Sequence, residues 1–189
     1  MKLIDPLPQA CVAPIAKFEQ IEHLCTGITV PGAVIQVGVW RGGLAAHLLN
    51  LFPDRRIYLA DTFTGIPYHE PCDGDYHNVG DFGDVDFNQI QALFAPFPNV
   101  ALLKGIFPPD DTAIKAIKYA VVHLDVDVYR SYKECLEFLY PRTVKGGLIM
   151  IDDYKVASAP GCSLALDEFL VDKPEKMTLF GDQWYFIKK

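Results

Sequence analysis

The sequence predicts an α/β fold: a mostly parallel sheet with helices on both faces, closed by an antiparallel hairpin. Apolar runs without polar alternation recur at residues 33–39, 57–60, 120–125 and 147–151, the pattern of strands buried on both faces. Stretches of helical spacing separate them, and strand alternating with helix implies parallel pairing through right-handed crossovers. The tail breaks this alternation. Residues 176–180 and 183–188 flank Gly181-Asp182, which reads as strand, two-residue turn, strand.

Taken in order, residues 10–27 read as one helix ended by Gly27, and 33–39 form the first strand. A glycine-rich turn leads into a helix at 42–52, and 57–60 is the second strand. Residues 66–86 are dense in Gly, Pro, Asp, His and Asn. A segment of ~20 residues without structure of its own is usually a lid or a binding loop, so a mobile active-site loop is expected there. Helices follow at 87–94, 112–117, 131–139 and 164–170, with a weaker strand at 100–104. No repeat or low-complexity tract interrupts the chain. Its 189 residues fit a single domain over 1–189, with 1–32 as a short N-terminal helical segment.

Composition narrows the function. The net charge of −7 argues against a nucleic-acid partner, which calls for a basic face. Half the residues are hydrophobic and 22% are charged, as in globular chains. No apolar run is long enough for a membrane span, and MKLIDPLPQA lacks a signal-peptide core. The five cysteines are odd in number and form no CxxC pair, so they read as free thiols in a reducing cytoplasm.

Three motifs carry chemistry. The run Val37-Gly38-Val39-Trp40-Arg41-Gly42-Gly43 joins a buried strand to a helix, where glycines let a ligand approach the backbone. Its spacing fails the GxGxxG dinucleotide pattern. Asp61 ends the second strand about 20 residues later, the usual place for a carboxylate that takes ribose hydroxyls. Together these favour an adenosine-containing ligand. The third motif is acidic: Asp125 and Asp127 end one buried strand, and Asp152 and Asp153 end the next. In a parallel sheet these ends share one edge, and four carboxylates there repel one another unless a cation or raised pKa values relieve them. An all-oxygen set of this kind suits Mg²⁺. His123 reads as a packed core residue, and His77 as a loop histidine facing the pocket.

The runs GVWRGG (38–43), ADTFTGIP (60–67), HLDVDVYRSY (123–132), LYPRTVKGGLIMIDDY (139–154) and LALDEF (164–169) resemble the macrocin O-methyltransferase family. The resemblance implies a class I methyltransferase, Rossmann-like sheet and an enzyme dependent on S-adenosylmethionine and Mg²⁺. It implies that Asp125, Asp152 and Asp153 hold the metal. Gly38, Trp40, Arg41 and Gly42 would contact the methionine part, Asp61 with Thr62 and Phe63 the ribose, and Gly105, Ile106 and Phe107 the adenine. Asp125 would border the cofactor as well. Asp127 is expected in the metal site or just outside it, and Asp125, Asp127 and His77 are the candidates for catalysis.

Three positions depart from the family pattern. Gln36 stands in place of an acid, which weakens one hold on the amino group of the methionine. Val126 replaces a glycine between two aspartates. The segment ahead of the first strand is short, so a lid over large acceptors is either lacking or supplied by a second copy of the chain. The expectation is an O-methyltransferase acting on a sugar or other small natural-product-like acceptor, in the cytoplasm. Its main rival is a catalytically inactive methyltransferase-like binding module. An aspartate-nucleophile phosphatase carries its DxD on the first strand, and a DxD nucleotide-sugar transferase needs a longer chain.

Overall fold

The computed structural model describes residues 15–189. Seven strands form one sheet: β1 (Ala33–Val37), β2 (Ile57–Asp61), β3 (Val100–Lys104), β4 (Tyr119–Leu124), β5 (Thr143–Ile151), β6 (Thr178–Phe180) and β7 (Gln183–Ile187). Their order is β3-β2-β1-β4-β5-β7-β6. The first five run parallel, while β7 pairs antiparallel with both β5 and β6. The switch point lies between β1 and β4, so the strand ends flanking it open into a crevice.

Six helices cover the sheet: α1 (Ile15–Thr26), α2 (Gly43–Leu51), α3 (Phe87–Phe94), α4 (Thr112–Lys115), α5 (Tyr129–Leu139) and α6 (Pro160–Leu170). Ile21, Leu48 and Phe94 from α1–α3 join Val34, Leu59, Val121 and Met150 in the core of one face. Ile114, Leu136 and Leu166 from α4–α6 join Ile35, Val122 and Ile151 on the other. Alternate residues of the central strands feed opposite cores, which is why these strands carry no polar alternation.

Residues 10–14 of the expected first helix lie outside the described residues, and the rest is α1. Three elements start two or more residues earlier than the sequence reading, each for a physical reason. β5 begins at Thr143, four residues early, because its first half is irregular: Tyr119 pairs with Thr143, but Val121 already pairs with Leu148. Gly146, at φ +80°, absorbs this bulge. α5 starts at Tyr129 although Val128 offers no side-chain cap. The cap comes from far upstream, where buried Asp73 accepts from Tyr129 N–H at 2.7 Å. α6 starts at Pro160, a residue suited to a first helical turn.

Segment 66–86 is not wholly without structure. Pro71–Asp73 form a 3-10 turn, and Ile66 N–H donates to Asp81 O while Gly80 N–H donates to Ile66 O. The loop is therefore tied at its neck and, through Asp73, to α5. No described helix is long and apolar enough to cross a membrane.

Candidate functional site

A cavity of about 440 Å³ opens at the carboxyl ends of β1, β2, β4 and β5 and reaches beneath α1. Its first half is the glycine turn. Gly38 sits at φ +87°, and a Cβ there would fall 1.7 Å from the Asp125 carbonyl oxygen. The glycine is thus demanded by the neighbouring strand end, not only by a ligand. Gly42, also left-handed, opens α2. Asp61 staples this turn: Oδ2 accepts from Val39 N–H at 2.7 Å and Trp40 N–H at 2.8 Å, and Oδ1 accepts from Phe63 N–H at 2.6 Å. Thr62 Oγ1 lies 3.4 Å from Oδ1 but gives its single proton to Gly65 O at 2.7 Å, so of about four carboxylate lone-pair sites one is left for a further donor.

Gln36 lies under the same turn. Its Nε2 donates to Gly38 O at 2.7 Å, while its buried Oε1 has no hydrogen-bond partner. On the far side, Gly105 at φ +127° lines the cavity beside Ile106 and Phe107, and a Cβ there would meet nothing within 4 Å. The wall here is bare backbone facing open space. An orphaned acceptor, one spare carboxylate lone pair and an uncovered glycine fit an adenosine ligand with an amino-acid end.

The second half is acidic. Carboxylate oxygens of Asp125, Asp127 and Asp153 lie within 4.8 Å of one another, the only such group of metal-ligand type among the described residues. Asp153 is held in place: its Oδ2 accepts from Tyr132 Oη at 2.6 Å and from Asp127 N–H at 3.0 Å. Burial, with Asp152, Asp153 and Asp127 close by, raises the Asp125 carboxyl well above its ordinary range. Burial and then the Asp153 charge push Asp127 up to about 8. Asp153 is raised as well, by burial and Asp152, against the pull of the Tyr132 hydroxyl.

Asp152 behaves differently. It pairs with the Lys17 ammonium, and His123 Nε2 lies 3.6 Å away. Burial opposes its ionisation, but the imidazole and the ammonium prevail and hold its carboxyl at about 2. Three mutually repelling carboxylates, Asp153 buried and Asp125 and Asp127 half-buried, with oxygens within 4.8 Å of one another, could hold a hard cation. Asp125 and Asp153 are in both the expected metal set and the gathered one. The third member of the gathered set is Asp127, whereas Asp152 faces Lys17.

The model of the macrocin-O-methyltransferase (TylF) family matches residues 14–179. The chain belongs to that family. A curated relative, the demethyldecarbamoylnovobiocin O-methyltransferase of Streptomyces niveus, is 31% identical over 161 residues, covering 76% of this chain and 60% of its own. The chain spans about 54–61% of the length of the curated relatives it matches. Among solved structures, the O-methyltransferase NovP superposes with a TM-score of 0.76 at 27% identity, covering 95% of this chain and 82% of its own. The MycE methyltransferase in complex with Mg, SAH and mycinamycin VI shares the fold alone: its TM-score is 0.59 at 14% identity, with 96% of this chain and 50% of its own covered.

With the family established, each expected residue can be placed. Gln36, Gly38, Trp40, Asp61, Thr62, Gly105, Ile106, Phe107 and Asp125 all line the cavity. Phe63 does not. It turns into the core at φ +53° and packs on Phe87, and only its N–H serves the site. Arg41 and Gly42 do not line it either: Arg41 pairs with Asp84 of the loop, which also accepts from Trp40 Nε1 at 3.0 Å, and Gly42 lies against the Phe94 ring. His77 reaches the acidic half, with Nε2 3.9 Å from Asp127 Oδ1. The positive φ of the acidic turn falls on Asp127, at +60°, and not on Val126, so valine is accommodated where the family carries glycine.

Two residues that the sequence reading passed over matter here. Lys17 enters from α1, and no local signal marks it, because the contact depends on how α1 packs across the strand ends. Asp84 latches the loop to the glycine turn 43 residues upstream. It sits among Asp81 and Asp86 in an acidic stretch of the loop, where nothing local marks its partner.

Proposed function

We propose that this chain is an S-adenosylmethionine-dependent, divalent-metal-dependent O-methyltransferase acting on a hydroxyl of a sugar or other small natural-product-like acceptor. The carrying observation is that one cavity joins the stapled glycine turn to the convergent Asp125–Asp127–Asp153 carboxylates. The family supports it, as do the relative named for its action on demethyldecarbamoylnovobiocin and the Mg and SAH found with MycE.

Gln36 Oε1 would accept from the amino group of the methionine part, the spare lone pair of Asp61 from a ribose hydroxyl, and Gly105 would let the adenine lie against backbone. When bound, S-adenosylmethionine supplies a methyl group already activated on sulfur, and Mg²⁺ supplies a charge that orients acceptor oxygens and lowers the hydroxyl pKa. The remaining work is positioning, which in well-aligned systems supplies about 7–11 kcal/mol of barrier reduction. Asp125 and Asp153 would hold the metal, and the Asp153 carboxylate is fixed for it by the Tyr132 hydroxyl and the Asp127 N–H. His77, near Asp127 at the mouth of the site, takes the hydroxyl proton. The described cysteines, Cys25, Cys72, Cys135 and Cys162, are free thiols, which suits a reducing cytoplasm.

Calorimetric titration with S-adenosylhomocysteine, in Mg²⁺ and again in EDTA, tests this reading. Saturable binding that Asp61→Ala weakens supports it. Absence of binding in both buffers overturns it.

A further inference from the structure

The cavity crosses the sheet edge from one face of the molecule to the other. Ile21, Val39 and Leu44 of its lining belong to the core of the α1–α3 face, and Phe107 and Cys135 to that of the α4–α6 face. At this second end Ile66, Pro67, Ile106, Phe107 and Cys135 make an apolar wall beside the bare backbone of Gly105. Ser131 brings a hydroxyl into that wall. It lines the cavity, is 7% exposed and lies one helical turn before Cys135 on the same side of α5.

A buried hydroxyl on a helix ordinarily donates to the carbonyl four residues back. Thr143, the other buried serine or threonine among the described residues, has such a partner in Leu139 O at 2.9 Å. Ser131 does not. The residue four before it, Asp127, lies outside α5 and is left-handed at φ +60°, and the next carbonyl, that of Val128, already accepts from Tyr132 N–H at 3.1 Å. The Ser131 hydroxyl thus has no hydrogen-bond partner among the described residues and opens onto the cavity. A buried polar group left unpaired is costly, and its position in a cavity wall points to a ligand that pairs it.

We propose that Ser131 is a cofactor-binding residue whose hydroxyl pairs with an edge of the adenine and so selects the base. The inference rests on the S-adenosylmethionine reading of the proposed function. Polarity sorts the two ends of that cofactor. The charged methionine part suits the end that carries Gln36 and the glycine turn, whereas a flat heterocycle suits an apolar wall with one polar group that fixes its orientation. A base that cannot pair the hydroxyl leaves it buried and unsatisfied, which is how such a site rejects near-isosteres.

Calorimetry in EDTA, with no acceptor present, tests this. Ser131→Ala should weaken S-adenosylhomocysteine about fivefold or more, and 5′-methylthioadenosine, which lacks the amino-acid end, by the same factor. Ser131→Cys, close in shape but a weak donor, should fall with the alanine variant. A series of S-adenosylhomocysteine analogues, the 1-, 3- and 7-deaza compounds and the N6-dimethyl compound, then finds the edge. One of them should bind the parent about fivefold more weakly than S-adenosylhomocysteine and lose that deficit in Ser131→Ala. Unchanged affinity in Ser131→Ala, a Ser131→Cys chain that binds like the parent, a loss confined to S-adenosylhomocysteine and absent for methylthioadenosine, or a series in which no analogue is coupled to Ser131 overturns the inference. A parent chain that binds no S-adenosylhomocysteine sinks the cofactor reading itself, a separate failure visible before any variant is made.

Discussion

The two halves of the cavity handle their carboxylates in opposite ways. At the end of β2, Asp61 is surrounded by backbone N–H groups and is nearly saturated by the chain itself. At the ends of β4 and β5, Asp125, Asp127 and Asp153 are buried against each other and pushed toward their neutral forms. The first half is satisfied by the chain except at Gln36 Oε1, so a ligand adds to it. The second half is strained as folded, so a cation relieves it. Removing a charge should therefore impair function in either half, but raise or keep stability in the acidic half and lower it at the glycine turn.

The largest effect is expected in the strained half. Asp153→Asn should lower methyl transfer about 10²–10³-fold, the cost of losing a preorganised charged group, while affinity for S-adenosylhomocysteine changes only slightly. The same substitution should leave the metal-free protein as stable as the parent or more so, since it removes a buried charge among like charges. Transfer rates and thermal melts in EDTA check both halves of the statement. A melt well below the parent's would mean that the Asp153 contacts with Tyr132 and Asp127 outweigh the repulsion.

Asp61→Ala should have the reverse effect on stability. It orphans three backbone N–H groups, each worth about 1–3 kcal/mol if left unsatisfied, although water entering the cavity recovers part of that. A net loss near 2 kcal/mol, or about 4–8 °C in melting temperature, should accompany a fall of about tenfold in S-adenosylhomocysteine affinity. Weakened binding with unchanged stability would show that the staple is unimportant and that Asp61 acts on the ligand alone.

The contrast also explains what could be read from the sequence. Strands buried on both faces, the glycine turn and the strand-end aspartates are local patterns, and all were legible: the order of elements, the hairpin about Gly181-Asp182 and the acidic edge follow from them. What was not legible depends on pairs far apart in the chain. Asp73 caps α5 across 56 positions, Asp84 grips Trp40 across 44, and Lys17 meets Asp152 only because α1 packs across the strand ends. The first half of β5 escaped notice for a different reason: Lys145 and Gly146 in its bulge interrupt the apolar run. Which pair of the four aspartates faces a common point is likewise set by turn geometry, the left-handed Asp127 above all, and no spacing rule encodes it.

The strain should appear as a pH dependence. The folded Asp127 carboxyl titrates at about 8, against 3.8 ordinarily. Between those values the folded chain keeps a proton that the unfolded chain has lost, so stability falls as pH rises. Asp125 and Asp153, shifted in the same direction, add to this trend, whereas Asp152 at about 2 matters only in acid. The metal-free melting temperature should decline from pH 5 to pH 8, and Mg²⁺ should restore it most at pH 8, where fewer protons compete. A profile that rises over this range in EDTA would contradict the picture of the acidic half.

The smallest effect concerns Val126. Replacing it with the glycine usual in the family should not improve the site, because the backbone already makes its left-handed turn one residue later. Val126 packs against the core of the α4–α6 face, so Val126→Gly removes apolar contact and adds freedom to the unfolded chain. Each change opposes folding, and the freedom alone costs about 0.4–1 kcal/mol. Melting temperature should drop by a few degrees, while Mn²⁺ affinity and transfer rate stay near the parent values. A gain in either would place the strain in the backbone between the two aspartates, and the repulsion among the carboxylates would then be only part of what a cation relieves.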